Sequence, residues 1–295
     1  MRKYIKSLLL FLLFFYIGVH KTNAQLSLYV KPWISYSSIQ PKDLNNTINS
    51  TNYMHSQRAA TVPGYSYKGK LPEIGAGFDY GGEIVFILND LLEAGLGFDF
   101  ITREEKASIQ IDNNGTYEEK FRQQISTLPI KLNMYFNFFK PRFSNIKMKL
   151  YLTGGLDYHF SNCELSYESI AGTNTDINEK NVDIKADDYG LGFHFGIGNN
   201  IKVKSNIYLF LELSYMYYKP SDWEGDYRII EQDPYNFLKI AGPLVYYKEQ
   251  CGDDLISRIN MFFYVPTDNE EYINPRKAVI DFSHLAIKLG IKLGL

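Results

Sequence analysis

The chain has 295 residues and a formal net charge of -2, which excludes the surplus of Lys and Arg expected of a nucleic-acid-binding surface. It contains 24 Tyr, 20 Phe and 22 Gly but only 2 Cys, a composition that favours strands over helices. Its mean hydropathy of -0.24 is compatible with a membrane-spanning β-barrel, because only every second residue of such a barrel faces lipid.

Residues 1–24 are expected to form a signal peptide. Basic side chains fall within residues 2–6, an apolar run occupies residues 8–19, and residues 22–24 supply small side chains for cleavage. The apolar run is too short for a transmembrane helix, which needs about 20 residues. The sequence therefore predicts export of one domain, residues 25–295.

Eight segments of that domain alternate apolar residues with polar or glycine residues. In the last one, aliphatic side chains occupy every second position from Leu285 to Leu295, with Lys288 and Lys292 between them. This alternation is typical of a strand with lipid on one face and a packed lumen on the other. The sequence predicts an all-β fold, an eight-stranded antiparallel transmembrane β-barrel, with strands at residues 25–36, 73–87, 91–101, 126–137, 148–160, 187–199, 206–218 and 283–295.

The connections between these segments alternate in length, as expected for long external loops and short periplasmic turns. A soluble β-sandwich would also alternate along its strands, but it does not explain this alternation of loop length. Within the last long connection, residues 236–248 and 255–265 could pair, either as a hairpin above the membrane or as two further strands of a ten-stranded barrel. Pro243 disfavours the second alternative. The long connections are residues 37–72, 102–121, 161–187 and 219–281.

Charged residues recur on the predicted lumen side of the strands. Isolated charges are costly to bury, so lysines and carboxylates there must pair or stay hydrated. The sequence predicts a network of salt bridges that plugs a narrow barrel, in preference to a conducting pore. The predicted members are Lys31, Lys131, Lys288, Lys292, Glu73, Asp79, Glu83, Glu93, Asp99, Asp157 and Glu212.

Three stretches resemble the small outer-membrane β-barrel proteins of the OmpA/OmpX-like and PorT-like group: residues 126–136, residues 150–155 and the C-terminus. The C-terminus is similar to the barrel-assembly signal of that group through Lys288, Gly290, Leu293 and Leu295. The resemblance implies a place in the outer membrane of a Gram-negative bacterium, contact with its lipid and lipopolysaccharide, and insertion by the barrel-assembly machinery. A PorT-like protein would be an accessory barrel for protein secretion.

One pattern suggests an enzyme at the barrel rim. His159 and Ser161 share a strand face near Glu164, which resembles the arrangement of lipid A deacylases, where a His base activates a Ser nucleophile. Such spacing is common by chance, and polar lumen and loop residues are the simpler interpretation, so we expect no enzyme. An omptin-like protease could be built from Asp187, Asp188, His194 and His284. Polar residues of the lumen and the loops are again the simpler interpretation of these side chains.

Cys163 and Cys251 both fall in predicted external loops, so one disulfide is expected between the third and fourth loops. No residue spacing indicates a metal or a cofactor. The sequence predicts a monomer, with no nucleic-acid partner, whose external loops have a structural or surface-interaction role. The alternatives are the secretion accessory and the rim acyl hydrolase.

Overall fold

The structure is a computed structural model and describes residues 27–113, 116–143, 146–173, 176–231, 237–251, 254–261 and 272–295. The predicted signal peptide, residues 1–24, lies outside these residues. One helix is described, α1 (Lys42–Thr61). The strands are β1 (Ser27–Ser38), β2 (Tyr65–Lys68), β3 (Ala76–Ile87), β4 (Leu92–Asn113), β5 (Thr116–Phe139), β6 (Arg142–Phe143), β7 (Ile146–Thr173), β8 (Asp176–Lys204), β9 (Ile207–Tyr217), β10 (Glu224–Glu231), β11 (Phe237–Cys251), β12 (Asp254–Met261), β13 (Ile273–Lys277) and β14 (His284–Gly294).

Eight strands close into an antiparallel ring in the order β1, β3, β4, β5, β7, β8, β9 and β14. The ring closes where the first and last strands pair, for example Ile34 with Leu289. A closed ring has no open edge, which distinguishes it from a two-sheet sandwich. Each predicted strand segment overlaps one strand of the ring, so the predicted eight-stranded antiparallel barrel is confirmed.

The ring carries apolar side chains outside and charged side chains inside. Phe78, Leu156 and Leu289 point outward and are 69%, 61% and 56% exposed, whereas Asp99 and Lys131 point inward and are buried. A water-soluble protein has the opposite arrangement. The outward face therefore has the character of a surface in contact with lipid.

Three side chains depart from their predicted positions. Strand β3 begins at Ala76, so Ile74 before it is buried in an apolar cluster. Glu73 is exposed and accepts a hydrogen bond from Asn49, so its predicted place in the lumen is wrong. Tyr218, the last residue of the predicted strand 206–218, lies beyond the end of β9, where it is buried and stacks on His159 with ring centroids 3.8 Å apart.

The lumen of the ring is filled by paired charges, as predicted. Asp99 lies 2.5 Å from the ammonium group of Lys131 and accepts a hydrogen bond from the indole of Trp33. Glu212 lies between Lys31 and Lys288, at 3.3 and 3.5 Å. Further buried pairs join Glu93 to Lys292, Asp157 to His194 and Asp79 to Arg103. A Cβ atom on Gly95 would overlap the Glu83 carboxylate, so this glycine provides space for the network.

Strands β4, β5, β7 and β8 run far beyond the ring, so the predicted loops at residues 102–121 and 161–187 are wrong: two long β-hairpins replace them. The alternation of these strands continues, but its polarity inverts. Ile109 and Ile125 face inward and are fully buried, whereas Glu104 and Lys106 face outward and are exposed. Where water instead of lipid surrounds the sheet, the apolar side chains must face its interior. The same strands therefore serve both environments.

Further strands join these hairpins at the end of the barrel away from the chain termini. Strand β10 pairs with β8, β11 pairs with β10, β12 and β13 pair with β11, and β2 pairs with β4. We call this part, with α1, the extension. Among the described residues, the hairpin β11–β12 lies in the extension and not in the ring, as in the predicted alternative of a hairpin outside the barrel.

Among the described residues, no helix combines the length and the apolar character needed to cross a membrane.

The buried network predicts that an Asp→Asn substitution lowers stability much more in the lumen than on the surface. Asp99→Asn removes a buried charge that faces Lys131 and Lys288, so we expect the free energy of unfolding in lipid vesicles to fall by about 3–5 kcal/mol in a urea titration. Asp90→Asn is the matched control, because Asp90 is 95% exposed, and should leave stability unchanged. Equal losses in the two variants would contradict the structural role of the lumen pairs.

Candidate functional site

Helix α1 crosses the concave side of the extension and is fixed to the segment before β3. The side-chain amide of Asn45 donates to the backbone carbonyl of Ile74 and accepts from its N–H, both at 3.0 Å. Asn52 makes the same pair of hydrogen bonds with Leu71, both at 2.9 Å. Because these two asparagines are seven residues apart, they lie on one face of α1.

The other side of α1 is fixed to the last described strands of the extension. Asp43, in the first turn, accepts hydrogen bonds from both terminal nitrogens of Arg276 at 2.6 and 2.7 Å and from the backbone N–H of Val279 at 2.8 Å. The backbone N–H of Ser257 on β12 donates to Ser50. The helix thereby bridges the two sides of a curled sheet.

A cavity of about 390 Å³ lies between α1 and the concave face of this sheet. Its volume falls within the range of small-molecule sites. Apolar side chains form much of its wall, among them Ile48, Leu71, Phe121, Leu165, Ile184 and Tyr227. The charged or titratable side chains of the wall include His55, Arg58, Glu105, Glu119 and Arg258.

His55 is the central polar group of the cavity. Its Nδ1 lies 2.7 Å from the hydroxyl of Tyr65, and its Nε2 lies 3.5 Å from a carboxylate oxygen of Glu119. Burial lowers the pKa of His55, and the positive charges of Arg58 and Arg258 lower it further, so the imidazole is neutral at neutral pH. Burial raises the pKa of the Glu119 carboxyl. The site thus combines an apolar wall, a neutral imidazole and two guanidinium groups.

The structure brings His159 and Ser161 together but does not bring Glu164 to them. Both side chains are buried at the top of the lumen and share Thr127, whose hydroxyl lies 3.1 Å from His159 Nδ1 and accepts from Ser161 at 2.9 Å. Glu164 faces outward and pairs with Lys185. Glu164 lies five residues after His159, and this odd spacing places the two side chains on opposite faces of the strand.

The residues suggested for a protease make separate contacts. His194 pairs with Asp157 at 2.7 Å, and His284 lies 2.7 Å from the carbonyl of Phe282. Asp188 accepts a backbone hydrogen bond from Asp222, whereas Asp187 accepts one from the Asn162 side chain. No group of three or more His, Cys, Asp or Glu in the described part of the chain could hold a metal ion.

The structure describes the side chain of only one of the two cysteines. Cys163 is buried in the apolar cluster of the extension, and burial raises the pKa of its thiol to about 12. The side chain of Cys251 lies outside the described residues, so the disulfide stays a prediction.

The four residues of the suggested assembly signal lie on both faces of β14 and its C-terminal end. Lys288 and Gly290 face the lumen, where Lys288 pairs with Glu212, and the outward Leu293 and Leu295 are exposed. Lys288 thus has a structural role in the lumen, and the assembly role of the four residues stays a prediction.

The sequence analysis missed the cavity because it assigned residues 37–72 to a loop. Many Asn, Ser and Thr residues lower the helix propensity of α1. The available signal was the spacing of Leu44 and Ile48, which places two buried side chains on one helical face. The cavity itself depends on α1 lying against strands that are distant in the chain, among them β5 and β12, and no local pattern encodes this.

Comparisons with protein-family models and with curated proteins give no match. Among solved structures, the chain is similar to the outer membrane protein OprG of Pseudomonas aeruginosa, with 10% identity, a TM-score of 0.38, and coverage of 92% of this chain and 96% of OprG. It is similar to CarO of Acinetobacter baumannii, with 13% identity, a TM-score of 0.35, and coverage of 78% and 96%. It is also similar to the outer membrane protein AlkL, with 11% identity, a TM-score of 0.33, and coverage of 93% of each chain.

No ligand or activity follows from similarities at this level. The closed ring and its outward apolar face give this chain the fold of a small outer-membrane β-barrel. Its place in the OmpA/OmpX-like or PorT-like group stays a prediction.

The attachment of α1 predicts a local effect of Asp43→Asn. The charged hydrogen bonds to Arg276 weaken, so hydrogen exchange should show the opening free energy of α1 falling by about 1.5–3 kcal/mol. Asp222→Asn, in an exposed pair with Lys277, is the control and should leave exchange in α1 unchanged. Unchanged exchange in Asp43→Asn would show that this contact does not hold the helix.

Proposed function

We propose that the protein is an outer-membrane β-barrel that binds a small amphipathic molecule at the cell surface. The observation that carries this proposal is the cavity beneath α1, which has an apolar wall and a few convergent polar groups. The extension acts as the binding part and the ring as its membrane anchor. This gives a concrete form to the surface-interaction role expected from the sequence.

The outward apolar face of the ring supports the membrane location. Its aliphatic and aromatic side chains would be exposed to water in a soluble protein, at a cost of about 25 cal/mol for each Å² of apolar surface. We infer that the chain resides in the outer membrane of a Gram-negative bacterium as a monomer, in contact with lipid and lipopolysaccharide. The barrel-assembly machinery would insert it, and the extension, opposite the termini, would face the exterior.

Binding at the surface is favoured over passage through the ring. The pairs of Asp99 with Lys131 and of Glu212 with Lys31 occupy the lumen, and all four side chains are nearly fully buried. An eight-stranded barrel has room only for its own side chains. The filled lumen therefore supports the role of the ring as a membrane anchor and not as a pore.

The two alternative functions lack a comparable observation. The orientation of Glu164 away from His159 does not favour an acyl hydrolase. No described contact favours a secretion accessory over a binding protein. Alanine substitution of His159 and Ser161 tests the first through lipid A composition, and the export of other proteins in a deletion strain tests the second.

A cavity-filling substitution tests the proposed function. Ala107→Phe introduces a large ring into the cavity wall, so the uncharged probe naphthylethanol should bind at least about tenfold more weakly to this variant in lipid nanodiscs. Gln110→Phe places the same ring on the outer face of β4 and should leave the affinity unchanged. Both variants should retain the heat-modifiable gel mobility of a folded barrel. Absence of binding to the unmodified protein, or equal affinity of the two variants, would contradict a ligand site under α1.

A further inference from the structure

The charged groups of the cavity gather around His55. Its imidazole is 3% exposed and lies between Tyr65 on β2 and Glu119 on β5. Arg58 on α1 and Arg258 on β12 also line the cavity, and both are close enough to His55 to act on its charge. Basic side chains from two elements, the exposed Arg58 and the partly buried Arg258, thus line the same cavity near His55.

A third arginine that lines the cavity is engaged at the outer surface. Arg122 directs its Nε to Glu104 at 2.6 Å and a terminal nitrogen to Gln124 at 2.8 Å, both on the outer surface. Arg258 uses its Nε for Glu249 and points a terminal nitrogen to the sulfur of Met54. A guanidinium has five N–H donors in a planar fork that suits a carboxylate, so Arg258 can donate further hydrogen bonds to ligand oxygens.

The acidic residues of the wall limit the charge of a ligand. Glu105 and Glu119 line the same space, so a dianion would be repelled by two carboxyl groups. A singly charged carboxylate meets less repulsion and can share the two guanidinium groups. The volume of about 390 Å³ lies at the small end of ligand sites, which favours a compact apolar body.

We propose that this cavity selects an amphipathic carboxylate, with the carboxylate between Arg58 and Arg258 and the apolar body against Ile48, Leu71 and Phe121. This inference rests on the proposed function and specifies its ligand class. It also predicts a coupling to protons, because a negative charge beside His55 favours the imidazolium form of that side chain.

Several groups face His55 and set this coupling. Arg58 and Arg258 oppose a positive charge on His55, and Glu119 favours it. Tyr65 contacts Nδ1, and the ring centroid of Tyr67 lies 5.7 Å from that of His55. A bound carboxylate would offset the repulsion from the arginines and raise the lowered pKa of His55, so binding should take up a proton and strengthen as the pH falls below neutrality.

The test compares three probes with the same ring: naphthylacetate, naphthylethanol and naphthylethylamine. Isothermal titration of the full chain in lipid nanodiscs, with empty nanodiscs as the blank, gives each affinity. We expect naphthylacetate to bind at least about tenfold more tightly than naphthylethanol. The double variant Arg58→Gln/Arg258→Gln should lose this preference and still bind naphthylethanol, whereas Arg228→Gln, an exposed residue outside the cavity, should keep it.

Titrations in two buffers of different ionisation heat measure the proton uptake. Uptake is expected with naphthylacetate, not with naphthylethanol, and should vanish in His55→Gln and remain in Arg228→Gln. If no probe binds, the proposed function itself fails. If naphthylethanol or naphthylethylamine binds as tightly as naphthylacetate, the carboxylate inference is overturned while the binding function stands. Proton uptake that persists in His55→Gln would overturn the assignment of the proton to His55.

Discussion

The lysines and carboxylates inside the ring neutralise one another, and the rest of the molecule depends on that neutralisation. Lys31, Lys131 and Lys288 are buried with Asp99 and Glu212 in pairs of 2.5 to 3.8 Å. Removing either partner alone would leave an uncompensated charge in a medium of low polarity. Because the charges are satisfied inside, the outer wall can be wholly apolar, and the ring can serve as a rigid base.

The extension uses the same strands with the opposite polarity. Along β4, Phe98 points outward into the apolar surface of the ring, and farther along Ile109 points inward to an apolar core. The side that carries apolar residues changes because the solvent outside changes from lipid to water. Four long strands thereby link anchor and cavity without a flexible connection. Such a link holds the walls of the cavity in fixed positions, which would lower the entropic cost of binding the proposed ligand.

The ring could be predicted from the sequence because lipid imposes a strict two-residue period on every strand. The sides of Lys131, Asp157 and Leu289 followed directly from that period. The extension was not predicted, because the two-residue alternation of its strands continues with polar side chains outward and apolar side chains inward. Glu104 and Lys106, at outward positions where the ring has apolar residues, were therefore assigned to a loop. Glu73 was misplaced because the predicted strand began three residues before the actual start of β3 at Ala76.

The candidate site was harder to predict than the ring. Helix α1 has a polar composition and little helical periodicity, and it is held by side-chain contacts of Asn45, Asn52 and Asp43 with distant residues. These contacts exist only once the sheet has curled, so His55, Arg258 and Glu119 come together from positions far apart in the chain. The shared face of His159 and Ser161 was predictable because strand neighbours two residues apart always share a face.

Quenching by lipids brominated in mid-chain tests the central claim, the change of polarity along one barrel wall, most directly. A tryptophan is introduced either at Leu289, outward on the ring, or at Gln110, outward on the extension, and the native Trp33 and Trp223 are buried and serve as the baseline. We expect strong additional quenching for Leu289→Trp and none for Gln110→Trp. Equal quenching of the two, or none for Leu289→Trp, would contradict a lipid-facing ring that carries a water-exposed extension.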